Sequence, residues 1–154
     1  GLAVPPLLGV SWHRRGPLVS GAIATGELKA TSLAAWLRET GDNKEDMLRR
    51  CGALTREMHD FHVWHADLQL LNILVTEEGP YLIDFDNARM LTRLKTRHRV
   101  RNLLRLRRSF EKHNLAPAFF EAFCDGYGIE SFPKGLDALY AARGRFSTWM
   151  ARSS

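Results

Sequence analysis

Residues 65–86 read HADLQLLNILVTEEGPYLIDFD. Asp67 follows His65 by two positions, Asn72 follows Asp67 by five, and Asp84 and Asp86 flank Phe85. Two short apolar runs, Ile73-Leu74-Val75 and Tyr81-Leu82-Ile83, enclose Thr76-Glu77-Glu78-Gly79-Pro80. Strand-forming residues on both sides of a turn-rich linker predict a hairpin. That hairpin returns Asn72 and Asp84 to its open end, with Asp67 in the loop just ahead. Phosphoryl transfer requires a carboxylate that orients a hydroxyl and accepts its proton. It also requires an amide oxygen and a second carboxylate to hold Mg²⁺ on the nucleotide phosphates. All three groups occur here in that order.

The stretch resembles the catalytic and metal-binding loops of the protein-kinase-like superfamily. By that resemblance Asp67 is the catalytic base, Asn72 and Asp84 are the Mg²⁺ ligands, and His65 braces the loop by bonding backbone near Asp84. Two positions depart from the pattern. Ala66 replaces the usual Arg, which suggests a kinase not switched by a phosphorylated activation loop. Asp86 replaces the usual Gly, and either helps bind metal or caps the following turn. His-Ala-Asp-Leu, Asn-Ile-Leu and Ile-Asp-Phe-Asp look most like the bacterial lipopolysaccharide kinases, the Kdo kinases above all. Residues 101–109, RNLLRLRRS, are similar to an Asn-Leu-x-Arg-Leu-x-Arg-Ser stretch of the same family.

The resemblance implies an α+β, protein-kinase-like fold, with residues 1–28 as a remnant of the amino-terminal lobe and hinge. Residues 29–154 then form the helical carboxy-terminal lobe. It implies ATP and Mg²⁺ as cofactors and Kdo–lipid A as the acceptor, phosphorylated on a sugar hydroxyl. An aminoglycoside-type phosphotransferase and a non-catalytic kinase-like remnant are the alternatives. The 64 residues before His65 contain no Gly-x-Gly-x-x-Gly and no Val-Ala-Ile-Lys-like strand. Lys29 lies in a turn-rich segment, and the sequence opens on Gly1. The expectation is therefore an excerpt that binds nucleotide weakly by itself.

The 154 residues suffice for one domain, and 45% hydrophobic with 25% charged residues is ordinary for a globular protein. There is no apolar run of membrane-spanning length and no secretion signal. Cys51 and Cys124 make neither a disulfide framework nor a zinc cluster, so a cytoplasmic setting fits. His59, His62 and His65 recur every three residues and lack the i, i+4 geometry of a helical zinc site. His59 and His62 are read as structural or surface groups.

The net charge of +5 is concentrated in one place. Arg89 to Lys112 holds ten Lys or Arg against one acid, Glu111, and the rest of the chain is net acidic. Arg101, Arg105 and Arg108 recur at helical spacing and can share a face. That face is a solvated surface or a contact for an anionic glycolipid or membrane, which would place the protein peripherally at the inner membrane. With no aromatic interleaving, nucleic acid is not the expected partner.

Elsewhere, Leu7–Trp12 and Leu18–Ala24 predict strands around a turn at 13–17, leading to a hinge near 25–28. Thr31-Ser32 caps a short helix bearing Leu33, Trp36 and Leu37. Asn43 starts a longer one with Met47, Leu48, Cys51, Leu54 and Met58 inward. The basic helix runs from about Arg97 to His113 with Val100, Leu103, Leu104 and Phe110 buried. Pro117 opens a helix carrying Phe119, Phe120 and Phe123 and stopped by Gly126. A last helix spans Pro133 to Arg152, with Leu136, Leu139, Tyr140, Phe146 and Trp149 inward.

Overall fold

The structure is a computed structural model that describes residues 1–39 and 41–129. The helix expected over Pro133 to Arg152 lies outside the described residues.

Leu7–Arg15 (β1) and Leu18–Thr25 (β2) form an antiparallel hairpin. The strands are longer than expected because the turn contracts to Gly16-Pro17, where Gly16 adopts φ 57°. A bond from Gly26 N to Pro6 O (2.8 Å) closes the base of the hairpin. All residues of both strands are exposed.

Thr31–Ser32 (β3) leads into a single helical turn, Leu33–Trp36 (α1), where Ser32 Oγ accepts from Ala35 N. Lys44–Asp60 (α2) is the central helix. Asn43 precedes it in a left-handed conformation (φ 69°), with no side-chain cap bond. The helix therefore starts where expected, although the capping chemistry differs. Leu48, Cys51, Leu54 and Met58 are buried along it, and Met47 packs on the margin of the core.

Val63–Trp64 (β4), Ile73–Val75 (β5), Pro80–Leu82 (β6) and Arg89–Met90 (β7) follow α2. A three-stranded antiparallel sheet has the order β3-β5-β6, with Ile73 opposite Leu82 and Val75 opposite Pro80. Ala3 O extends it by accepting from Leu82 N (3.0 Å). Strand β4 pairs with β7.

Thr96–Lys112 (α3) and Pro117–Tyr127 (α4) complete the described helices. Pro117 takes the first turn of α4 as expected, but Gly126 does not stop the helix. Gly128 does, with φ 79°. Gly126 instead lies against α2, where an added Cβ would fall 1.9 Å from Arg49 O. Across the same contact, a Cβ on Gly52 would fall 2.1 Å from Phe123 O. The two helices therefore touch backbone to backbone, which only residues without a side chain permit.

The buried face of α3 also differs from expectation. Leu103 and Phe110 are buried, but Asn102, Leu106 and Ser109 join them, while Val100 and Leu104 are only half-buried. Two of these residues are polar, and their bonds to the backbone of the loop at residues 65–70 set the rotation of the helix.

Candidate active site

The loop between β4 and β5 is held by hydrogen bonds whose donors can be assigned from their partners. His65, 1% exposed, has Nε2 3.0 Å from Ile83 O and Nδ1 3.2 Å from Asp67 N. A carbonyl can only accept and an amide N–H can only donate. The ring is therefore protonated at Nε2 and accepts at Nδ1. It ties Asp67 to the segment ahead of Asp84, and Phe85 packs against it at 5.0 Å between ring centroids.

Asn72, 6% exposed, binds the same cluster from the first turn of the hairpin. Its Nδ2 donates to Asp67 O (2.9 Å) and approaches Asp84 Oδ2 (3.4 Å). A bond from Ile83 N to Asn72 O (3.1 Å) closes the hairpin end beneath them. Asp84 is exposed and sits at φ 63°, a conformation that Asp tolerates better than most side chains. The structure thus brings Asp67, Asn72 and Asp84 together at the open end of the hairpin.

Helix α3 runs along this loop and grips it at three points. Asn102 Nδ2 donates to His65 O, Arg105 pairs through Nη1 with Asp67 Oδ1, and Ser109 Oγ accepts from Leu70 N (3.1 Å). Spacings of three and four residues place all three on one side of the helix. Asp67 Oδ2 accepts in turn from Gln69 Nε2 (2.9 Å). Both oxygens of Asp67 are therefore engaged.

Behind the loop the bonding continues. Asn102 Oδ1 accepts from His59 Nε2 (3.0 Å), and His59 Nδ1 lies 2.7 Å from Tyr127 Oη. Burial pushes the His59 imidazole down to about 4, and Arg99 nearby adds to the effect. It is neutral at physiological pH, so Tyr127 donates to Nδ1. One directed chain of bonds runs from α4 through α2 and α3 to the backbone beside Asp67. His59, Asn102, Tyr127, Gln69 and Ser109 had no part in the sequence reading of the site. The likeness of residues 101–109 to an Asn-Leu-x-Arg-Leu-x-Arg-Ser stretch is the signal that could have found Asn102 and Ser109.

Asp67 and Asp84 open on a cleft of about 360 Å³ that Trp64, Asn87, Arg89 and Arg105 also line. Trp64 Nε1 is buried without a hydrogen-bond partner, alone in this among the side chains of the described residues. Asp86 does not line the cleft. It is exposed in a turn closed by Ala88 N to Phe85 O (2.8 Å), and among the described residues its side chain makes no capping bond. Arg101 and Arg108 are exposed on α3. Arg105, expected with them to meet an anionic substrate or membrane, lines the cleft, where it pairs with Asp67. Asp67 draws it there.

The loop, hairpin and helical support define a protein-kinase-like α+β fold. The solved structure of WaaP in complex with acyl carrier protein matches with a TM-score of 0.67 at 20% identity, covering 99% of this chain and 68% of that one. The lipopolysaccharide kinase (Kdo/WaaP) family matches over residues 1–127, and the chain belongs to that family. A 3-deoxy-D-manno-octulosonic acid kinase of Vibrio cholerae serotype O1 is 32% identical over 114 residues, which cover 73% of this chain and 47% of the relative. One of Xylella fastidiosa (strain 9a5c) is 38% identical over 114 residues, covering 73% and 45%. The chain spans about half the length of the curated relatives it matches.

Proposed function

We propose that this chain carries the catalytic floor of an ATP-dependent kinase that phosphorylates a sugar hydroxyl of the lipopolysaccharide inner core, with Kdo–lipid A as acceptor. One observation carries the reading: Asn72 Nδ2 lies within 3.4 Å of Asp84 and 2.9 Å of the Asp67 carbonyl, beside an open cleft. The named relatives supply the acceptor class.

The residues fit Mg²⁺. Both side-chain hydrogen bonds of Asn72 use Nδ2, so Oδ1 remains to join the Asp84 carboxylate as a hard oxygen donor. When bound there, Mg²⁺ would neutralise charge on the nucleotide phosphates. Asp67 orients the acceptor hydroxyl and takes its proton. The hydroxyl oxygen bonds to the γ-phosphorus of ATP, the bond from that phosphorus to the β–γ bridging oxygen breaks, and ADP leaves. His65, Asn72 and Asn102 fix the loop, so the carboxylate is in place before substrate arrives. Residues 1–28 supply strands and hinge of the nucleotide-facing lobe. Two guanidinium groups in the cleft favour an anionic acceptor over a polycationic aminoglycoside. With Arg101 and Arg108 on the exposed face of α3, they suit work on an anionic lipid at the cytoplasmic side of the inner membrane. No helix among the described residues is long and apolar enough to cross a membrane.

The test is Asp67→Asn in the protein assayed on Kdo–lipid A with Mg²⁺ and ATP. Turnover should fall by ~10²- to 10⁴-fold, the range of a general base, while nucleotide affinity holds. Unchanged turnover removes Asp67 from the chemistry.

A further inference from the structure

Two of the three contacts between α3 and the loop go to backbone. Asn102 holds the His65 carbonyl and Ser109 the Leu70 amide. Those two contacts position the loop without touching the reactive group. Arg105, between them, engages the Asp67 carboxylate itself. Gln69 holds the other oxygen; each oxygen keeps a further acceptor site, and the Arg105 guanidinium stands beside the carboxylate in the cleft where a hydroxyl would approach. Gln69 is two residues away in the same loop and bound to its geometry. Arg105 reaches in from a helix on a long side chain, and both it and Asp67 are about half exposed, at 50% and 41%. Exposed pairs of this kind are weak and exchange readily for a competing anion. Arg89 lines the same cleft from β7. The cleft therefore holds two cations next to two carboxylates that the proposed chemistry needs free.

We propose that Arg105, sharing the cleft with Arg89, recognises an anionic group of the acceptor next to its reacting hydroxyl, and leaves Asp67 as that group arrives. The favoured group is the carboxylate of the sugar acid, because a planar guanidinium pairs with a carboxylate through two parallel bonds. An acceptor phosphate offers related chemistry. The inference rests on the proposed kinase reading and adds selectivity to it. An acceptor that lacks the anion leaves Arg105 paired with Asp67 beside the approaching hydroxyl, so recognition of the anion and clearing of the base are one event.

The test uses binding, which needs no turnover. The chain is titrated with free 3-deoxy-D-manno-octulosonic acid, with its methyl ester and with inorganic phosphate, each by calorimetry or by amide shifts of residues 64–69. Wild type should bind the acid roughly tenfold to a hundredfold more tightly than the ester, the span of a charged hydrogen bond. Arg105→Gln should bring the acid down to the level of the ester and leave the ester unchanged. Arg105→Lys should restore part of the difference, since it keeps the charge and loses the fork. If phosphate rather than the acid shows the Arg105 dependence, the anion read is a phosphate of the acceptor and the assignment of Arg105 stands. Equal binding of acid and ester with no Arg105-dependent phosphate binding overturns it. So does equal loss of acid and ester in Arg105→Gln, which marks a structural role, and so does no binding of any of the three probes. A parallel titration with Mg²⁺ and a non-hydrolysable ATP analogue separates the two ideas. These residues alone should bind nucleotide weakly; no binding even at saturating nucleotide sinks the kinase reading, whereas nucleotide binding without acid selectivity sinks only the role of Arg105.

Discussion

Lowering the pH from about 7.5 to about 4.5 titrates His59 in the unfolded chain but hardly in the folded protein. Unfolded, the imidazole takes its proton near 6.5; folded, burial delays this to about 4. Between those values the unfolded chain binds more protons, so stability falls as the pH falls. At 1.36 kcal/mol per unit, the loss from this residue is about 1.4 kcal/mol at pH 5.5 and about 2.5 kcal/mol at pH 4.5. That is a large share of a typical stability of ~5–15 kcal/mol. The assay is urea denaturation followed by helix ellipticity at each pH, for wild type and His59→Gln. The variant has a fixed cost from its altered bonding, which cancels when each protein is compared with itself across pH. Carboxylates such as Asp60, held below the usual range by Arg99, titrate in both proteins and cancel between them. The excess loss in wild type should be about 2.5 kcal/mol at the acid end. Equal losses, or an imidazole resonance of His59 that titrates near 6.5, would refute a buried neutral His59 and with it the direction assigned to the Tyr127–His59–Asn102 chain.

Gly126→Ala should destabilise the fold by about 1–3 kcal/mol, as overpacking does, because its Cβ would meet Arg49 O at 1.9 Å; the urea midpoint reports it. Asn72→Ala and Asp84→Asn should each weaken the broadening that Mn²⁺ with a nucleotide causes in amide signals of the hairpin end, and broadening that ignores both variants would place the metal elsewhere. Arg101→Gln with Arg108→Gln should weaken binding to anionic vesicles roughly thirtyfold, from about 1 kcal/mol per charge. Raised salt should mimic that double substitution, and an insensitive protein would show that this face of α3 is only solvated.

Much of the site was legible because it is local. Asn72 and Asp84 are joined by a hairpin that β-branched runs and a Gly-Pro turn announce, so their meeting follows from sequence spacing. The bond from His65 to Ile83 spans the same hairpin. The grip of α3 was not legible, because Asn102, Arg105 and Ser109 meet partners 37 to 39 positions away. Hydropathy also misplaces the helix. It counts Asn102 and Ser109 as surface residues, although they are buried to satisfy loop backbone groups that would otherwise go unbonded. The periodic pattern then selects Val100 and Leu104 in place of Leu106. Gly126 misled for a related reason. A glycine late in a helix suggests a stop, but here it serves a close crossing with α2 that no local signal reveals.

The β1–β2 hairpin has a different consequence. Its residues are exposed along both strands, and Trp12 is 75% exposed. Opening it uncovers little further apolar area, and two-stranded hairpins are marginal by themselves in water. Its equilibrium is therefore only weakly coupled to that of the helical core. Among the described residues, Trp12 belongs to one equilibrium, and the half-buried Trp36 and Trp64 belong to the other. Indole fluorescence mixes the two transitions, while helix ellipticity follows the core alone. Non-coincident curves from these probes would then mark two cooperative units within one chain rather than an intermediate of the core.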